Sequence, residues 1–65
     1  MWKVTSKDGV SIHQRTRSYP RRPLALEAAQ RACGHNGASA EIIDSKGRLR
    51  FRYWRDTTGL QYLEY

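Results

Sequence analysis

The stretch from residue 40 to residue 54 constrains the fold more than any other part of the chain. Two runs of β-favouring residues flank a polar segment, residues 44–47, that ends in glycine as hairpin turns do. After this turn, apolar residues alternate with arginine, so one side of the strand should face a core and the other should face solvent. The stretch therefore predicts a β-hairpin with one buried face. Its core-facing residues are Leu49, Phe51 and Tyr53, and its solvent-facing residues are Arg48, Arg50, Arg52 and Trp54.

The register of this hairpin follows from which residues must share a face. A four-residue loop places Ile42 opposite Leu49 and keeps both on the core side. A three-residue loop would place Ile42 opposite Arg50 and would mix the two faces. We therefore expect the longer loop, which sets Glu41 opposite Arg50 on the outer face.

A first hairpin is predicted at the N-terminus, where residues 2–5 and 10–15 flank a polar turn that ends in Gly9. A three-residue loop, with Gly9 in the left-handed region, pairs Val4 with Ile12 on the core side. A four-residue loop would mix core and solvent faces. The residues expected to face outward are Lys3, Thr5, Ser11, His13 and Arg15.

An alanine-rich helix is predicted over residues 24–36. Pro23 suits its first turn, because the N–H that proline lacks would have no helical partner there. Gly37 is expected just past its end, and Gly34 would end it earlier. Its small apolar face should let the helix lie close to a sheet. That face comprises Leu24, Ala25, Ala28, Ala29, Ala32 and Cys33.

The tail, residues 60–65, follows a third turn that ends in glycine. It can return as a fifth strand, or it can form a frayed terminus. With a three-residue loop, the strand sets Tyr53 opposite Leu63 on the core side. The same register sets Arg52 beside Glu64 on the outer face.

These elements predict an α+β domain with the order β-β-α-β-β-β. We expect an antiparallel sheet of four to five strands with one helix packed on one face. A chain of 65 residues has room for a single small domain, residues 1–65, with one core. The strand order is left open, because the helical crossover permits more than one placement.

Composition indicates a protein of the cytoplasm. The single cysteine, Cys33, excludes an intramolecular disulfide framework and fits a reducing compartment. The N-terminus has no apolar run that could serve as a signal peptide, and no segment approaches membrane-spanning length. We therefore expect a cytoplasmic protein without a membrane partner.

The net charge is +6, with twelve lysine and arginine residues against six aspartate and glutamate residues. Excess positive charge favours anionic partners, and arginine can hold a phosphate through two N–H groups at once. A net charge of this size also keeps small domains soluble. Charge alone therefore leaves two interpretations open, a nucleic-acid-binding protein and a well-solvated surface.

The loop predicted between the first hairpin and the helix is the stronger candidate for a nucleic-acid contact. It holds four arginines and no acidic residue, although it could equally be a solvated linker. The outer sheet face is the second candidate, because sheets can enter a DNA groove and aromatic side chains can stack on bases. Glu41 and Glu64 should neutralise part of that face. The predicted nucleic-acid-binding residues are Arg15, Arg17, Arg21, Arg22, Arg48, Arg50 and Trp54.

The alternative function is an interaction with another protein or with a second copy of the chain. In the expected register, Trp54 lies beside Tyr62 on the outer face and forms an aromatic patch. Tryptophan, tyrosine and arginine dominate interface hot spots. Trp54 could instead cover an edge of the small core.

No pattern in the sequence indicates catalysis or a cofactor. Cys33 and His35 match no zinc-binding spacing, and a cysteine of the helix is better explained as a small buried apolar residue. Glycine-rich phosphate loops, Ser–His–Asp sets and close carboxylate pairs are missing from the sequence, and each aspartate is better explained by a turn. We expect a non-enzymatic protein without metal, cofactor or small-molecule substrate.

Residues 2–53 run as a hairpin, an alanine-rich helix followed by Gly-Ala at positions 37–38, a strand, an Asp-x-x-Gly turn and a strand. This layout resembles a group of small bacterial and phage proteins known only as a domain of unknown function. Such relatives carry Gly-Trp on the second strand, where this chain has Gly-Val at positions 9–10. The tail from Asp56 onward is a further departure. The resemblance implies the fold and a bacterial or phage origin, and it implies no activity.

Overall fold

A computed structural model describes residues 1–10 and 13–65, which form one five-stranded antiparallel sheet with one helix on one face. The strand order is β2-β1-β3-β4-β5, so β2 and β5 are the edges. The predicted α+β class, the element order and the fifth strand are confirmed. The elements are β1 (Trp2–Lys7), β2 (Gln14–Tyr19), α1 (Arg22–Ala32), β3 (Ser39–Ile43), β4 (Leu49–Asp56) and β5 (Gly59–Glu64).

The first hairpin differs from the prediction in its second strand. The segment from Arg15 to Tyr19, predicted as part of a loop, belongs to β2, and Val4 lies opposite Arg17 rather than Ile12. Ile12 itself lies outside the described residues. In the observed register Trp2 lies opposite Tyr19, and both aromatic rings pack against the core. Partly burying these two aromatic rings is a hydrophobic gain that favours the observed register.

Helix α1 begins and ends earlier than predicted. It starts at Arg22, which places Pro23 in the first turn as expected, and it ends at Ala32. The N–H of Cys33 donates to the carbonyls of Ala29 and Gln30, both at 3.2 Å. Gly37 is therefore not the helix-terminating glycine, and its N–H donates to a carbonyl of β4.

The central hairpin keeps Phe51 and Tyr53 on the predicted core face, but its register differs. The predicted core position of Leu49 is wrong, because Leu49 lies opposite Ile43, on the side away from the buried Ile42, and is not part of the core cluster. Ile42 lies opposite Phe51 rather than Leu49, and the ladder is irregular where Ile43 pairs with Leu49. Arg50 is the extra residue of this bulge, so Glu41 lies opposite Arg52 and not opposite Arg50. A shift of two residues preserves the buried face, because side chains alternate with a period of two.

The last hairpin is tighter than predicted. Asp56 pairs with Gly59, so two residues form the loop, and Tyr53 lies opposite Tyr62 instead of Leu63. The carboxylate of Asp56 stabilises this loop by accepting the N–H of Thr58 at 2.9 Å. The two tyrosine rings stack with their centroids 5.6 Å apart. The one-residue change moves each side chain of β5 to the face opposite the one predicted.

The core lies between α1 and the sheet strands β1, β3 and β4. Small side chains on α1 let the helix axis come close to the sheet, as the alanine-rich pattern predicted. Leu24 departs from that pattern and is exposed, since the buried stripe runs one residue further along the helix. Ile42 and Cys33 are the largest fully buried side chains. The buried residues of the core cluster are Val4, Ala25, Ala29, Cys33, Ala40, Ile42, Phe51 and Tyr53.

Candidate nucleic-acid interface

A groove runs between edge strand β2 and helix α1, on the helix side of the sheet. It exists because α1 packs mainly over β1 and β3 and leaves most of β2 uncovered. The groove has a volume of about 450 Å³ and adjoins a second hollow of about 480 Å³, with which it shares Ser6, Arg15 and Ala32. We call it the β2–α1 groove. Its polar lining residues are Ser6, Arg15, Arg17, Tyr19, Glu27 and Arg31.

Arg15 and Arg17 lie on the helix side of β2 and line this groove. Residues directly opposite each other in a ladder share a face, and Arg17 is opposite the buried Val4 while Arg15 is opposite Ser6. Positions two apart on a strand are separated by roughly 6.5–7 Å. Both arginines are exposed, and within residues 1–10 and 13–65 neither takes part in an ion pair. Arg15 is therefore not on the open sheet face, where the sequence placed it.

Arg31 lies across the groove on α1 and is paired with Glu27. The guanidinium and carboxylate are 2.5 Å apart one helical turn from each other, and the two side chains are 79% and 55% exposed. Exposed pairs of this kind are worth only about 0.3–0.5 kcal/mol, so the contact is easily exchanged. Because a guanidinium has five N–H donors, Arg31 keeps donors that can reach a ligand in the groove.

The two remaining loop arginines lie at the start of α1. Arg21 is the N-cap residue; its side chain makes no capping hydrogen bond, and the first helical turn holds no acidic residue. Arg22 is the first helical residue, and its guanidinium carbon lies 5.0 Å from the ring centroid of the buried Phe51. The four arginines predicted for one loop are therefore divided between a strand, a helix cap and a contact with the core.

Replacing Arg22 by glutamine should destabilise the fold, because it removes the cation from the face of Phe51. The expected loss is about 0.5–1 kcal/mol in the free energy of unfolding, measured by urea denaturation. Arg21→Gln is the matched control, since it removes the same charge from the neighbouring position without a ring beneath it. Equal losses in the two variants would contradict a cation–π contribution.

Arg48 and Arg50 are tied to the central turn by Asp44. The Asp44 carboxylate accepts the N–H of Arg48 at 3.0 Å and of Lys46 at 2.9 Å, and it lies 3.5 Å from the Arg50 guanidinium. The hydrogen bond from Arg48 is the main cause that holds the pKa of Asp44 below its ordinary value of 3.8, with Lys46 and Arg50 adding to it. Arg50 is thus partly neutralised within the turn, which weakens its candidacy as a phosphate ligand.

The lowered pKa of Asp44 predicts a pH dependence of stability. Because the folded state favours the ionised carboxylate, this contribution is present at neutral pH and is lost as the pH falls below about 4 through the folded pKa. Asp44→Asn keeps an oxygen that can accept the turn N–H groups but carries no charge. We expect the Tm difference between wild type and Asp44→Asn to be largest at neutral pH and to shrink in acid. A difference that stays constant with pH would contradict the assignment.

Trp54 lies half-buried on the open face of the sheet, opposite Ser39 on one side and Gln61 on the other. Tyr62 projects from the helix side, where it stacks on Tyr53. The predicted Trp54–Tyr62 patch is therefore wrong, because the two-residue loop of the last hairpin places these rings on opposite faces.

The open face carries fewer uncompensated cations than the sequence suggested. Lys3, Lys7 and Arg52 belong to it by strand alternation, and Glu41 lies directly opposite Arg52. The second expected pairing is wrong, since Glu64 lies opposite Phe51. This face offers a mixed surface. In the β2–α1 groove, by contrast, the lining carboxylate of Glu27 is paired with Arg31, and neither Arg15 nor Arg17 makes an ion pair within the described residues.

Cys33 and His35 have structural positions just after α1. The Cys33 side chain is fully buried, and burial raises the pKa of its thiol by disfavouring the thiolate, against a smaller opposing effect of Arg55. The Arg55 guanidinium donates to the Cys33 carbonyl, and a ring nitrogen of His35 contacts the Asp8 carbonyl. These contacts join the loop after α1 to β4 and to the first hairpin.

The described part of the chain holds no group of three or more histidine, cysteine, aspartate or glutamate side chains that could bind a metal ion. In the same residues no helix is long and apolar enough to cross a membrane. Comparison with protein-family models, curated proteins and solved structures finds no significant match to the chain.

Sequence reasoning identified Arg15 and Arg17, left Tyr19 out of the predicted binding residues, and missed the groove residues Ser6 and Arg31. The sequence did contain a signal for Tyr19. Arg15, Arg17 and Tyr19 alternate with small polar residues, which is the pattern of one face of a strand. No local signal could have placed Arg31 across from them, since that proximity depends on where α1 packs.

Proposed function

We propose that the protein binds nucleic acid through the β2–α1 groove, with Arg15 and Arg17 on neighbouring phosphates. The observation that carries the proposal is the pair of exposed arginines, side by side on one face of an edge strand and without an acidic partner in the described residues. Arginine binds phosphate in a bidentate geometry, and two such groups two residues apart can contact an extended backbone at two points. The net charge of +6 adds a long-range attraction for polyanions.

The start of α1 extends this positive region. Strand β2 ends at Tyr19, and Arg21 caps the helix two residues later. The first backbone N–H groups of a helix carry a partial positive charge, and no carboxylate in the first turn offsets it. A strand of nucleic acid that follows the groove past Tyr19 would therefore reach a third cationic position.

The groove favours a single strand over a duplex. Its floor includes Val4, Tyr19 and Ala28, so a base can lie against apolar surface and against a tyrosine ring while its phosphates meet the arginines. Phosphate contacts carry no sequence information, so binding should depend little on base sequence. The protein would act by binding rather than by chemistry, in the cytoplasm, as a small accessory protein.

Fluorescence anisotropy with labelled oligonucleotides of about 20 nucleotides tests the proposal, since these exceed the sites that small folds cover. Contacts with two to four phosphates of a single strand predict a log–log salt slope of about −1.4 to −2.8. Affinity should then fall roughly 7- to 50-fold between about 50 and 200 mM salt. DNA, RNA and duplex forms are compared in parallel, with poly-glutamate as a polyanion that lacks phosphates. No binding at low salt, or equal binding of poly-glutamate, would contradict the proposal.

A further inference from the structure

The outer edge of the sheet at β5 is apolar and exposed. Leu60, Tyr62, Leu63 and Tyr65 are between 37% and 61% exposed, and Glu64 is the single charged residue of the strand. Edge strands of soluble proteins are commonly protected by charge, by proline or by a covering segment. Strand β5 is made of the residues Gly59-Leu60-Gln61-Tyr62-Leu63-Glu64, and none of them gives it such protection except Glu64.

The backbone of β5 presents a row of hydrogen-bonding groups to that edge. The N–H of Tyr65 donates to the Arg50 carbonyl at 2.9 Å, so this pair faces inward. Residues of an antiparallel ladder alternate between inward and outward backbone groups. Counting back along β5, the residues whose N–H and C=O groups face outward are Leu60, Tyr62 and Glu64.

We infer that a second copy of the chain pairs with this edge, β5 against β5, to form a continuous ten-stranded antiparallel sheet. A two-fold axis through Tyr62 aligns the outward backbone groups of both copies, with Leu60 of each copy opposite Glu64 of the other. The two Tyr62 side chains, one from each copy, then meet at the axis on the helix side of the sheet. Each of them also stacks on Tyr53 of its own copy. The pairing covers Tyr62, and the outward N–H and C=O groups of β5 in one copy form hydrogen bonds with those of the other copy.

Charge explains why the partner is a second copy joined at this edge. In a chain of net charge +6, β5 is a segment without a cation, so two copies can approach there with the least repulsion. A β2–β2 pairing centred on Thr16 would instead set Arg15 of one copy opposite Arg17 of the other. Pairing β5 with β2 of the next copy would leave a free edge at each end and would continue into open chains.

Sedimentation velocity across about 10 µM to 1 mM protein, a range that covers weak dimers, provides the test. The 7.6 kDa chain should shift toward twice that mass and stop there. Tyr62→Arg places two cations opposite each other at the axis and should raise the dimer dissociation constant at least tenfold. Ser18→Arg, which adds the same charge on the β2 edge, should leave it within twofold. If Tyr62→Arg is not folded by circular dichroism, Glu64→Pro replaces it, because it removes an outward donor and leaves the monomer ladder intact.

A disulfide trap tests the register. Directly opposed residues of a hydrogen-bonded pair have Cα atoms about 5.5 Å apart, which suits a disulfide. Tyr62→Cys should therefore cross-link into a covalent dimer on mild oxidation, while Ser18→Cys should stay mostly monomeric. A monomer at all concentrations, equal cross-linking of the two variants, or growth beyond the dimer would overturn the inference. Added salt should strengthen the dimer by screening like charges, the opposite of its effect on nucleic-acid binding.

Discussion

The double variant Arg15→Gln/Arg17→Gln is expected to bind a single-stranded oligonucleotide about 25-fold more weakly than wild type at about 0.1 M salt. Each phosphate contact with a single strand contributes about 0.7 to the log–log salt slope, which corresponds to about fivefold in affinity at that concentration. Losing both contacts should therefore also reduce the slope by about 1.4. Both positions are exposed on an edge strand, so glutamine should leave the fold intact.

The matched control is Lys3→Gln/Arg52→Gln, which removes the same charge from the open face of the sheet. If the β2–α1 groove is the binding site, this variant should lose only a few-fold in affinity through the weaker long-range field. Equal losses in the two double variants would mean that net charge, and not the groove, governs binding. A larger loss in the control would move the site to the open face. Anisotropy at two salt concentrations separates these outcomes.

Replacing Gly9 by alanine is expected to destabilise the fold by roughly 2–4 kcal/mol, through strain and a backbone clash together. Gly9 has a φ of 82°, and a Cβ atom added there would lie 2.6 Å from the carbonyl carbon of Gly37. The neighbour is backbone, and Gly37 is itself held by a hydrogen bond from its N–H to the Arg55 carbonyl at 2.9 Å. The first hairpin would therefore have to move away from the loop that follows α1.

The variant Gly47→Ala is the matched control, because it introduces the backbone strain of Gly9→Ala without the steric clash. Gly47 has nearly the same φ, 81°, but a Cβ atom there would meet nothing within 4 Å. Its replacement should cost only the left-handed strain, about 1–2 kcal/mol. Chemical denaturation of both variants gives the two free energies of unfolding. A domain of this size has roughly 3–10 kcal/mol in total, so the Gly9→Ala loss is a large fraction of it. Equal losses of stability in the two variants would contradict the clash and show that the first hairpin can move away from the loop after α1 at little cost.

In β4 the core face was predictable and the register was not, whereas in the first and last hairpins the different loops also moved side chains to the other face. In the central hairpin, alternation placed Phe51 and Tyr53 on the core side, where they are buried. The bulge that leaves Arg50 without a partner on β3 has no counterpart in the alternating pattern, because a shift by two residues keeps Phe51 and Tyr53 on the same face. In the observed turn the Asp44 carboxylate accepts the N–H groups of Lys46 and Arg48, and these contacts are not visible in the hydrophobic pattern from which the register was predicted.

Two residues of the candidate site could be predicted from the sequence, but the groove that they line could not. Arg15 and Arg17 were identified from charge, but the segment that holds them was assigned to a loop, because β2 carries no apolar residue except Tyr19. Such a strand forms at the edge of a sheet through pairing with β1, which local propensity does not report. The groove itself exists because α1 packs over β1 and β3 and covers β2 only in part.

The sequence by itself determined the α+β class, the element order and the buried stripe of small residues on the helix, because hydrophobic periodicity and turn chemistry are local properties. The tertiary structure decided the strand order, the three registers and the sides on which Arg15 and Tyr62 lie. The registers, and with them the faces of β2 and β5, follow from loop lengths that are settled by contacts between distant segments, such as Trp2 with Tyr19 and Gly9 with Gly37. The arginines were visible in the sequence, and the groove they line required the fold.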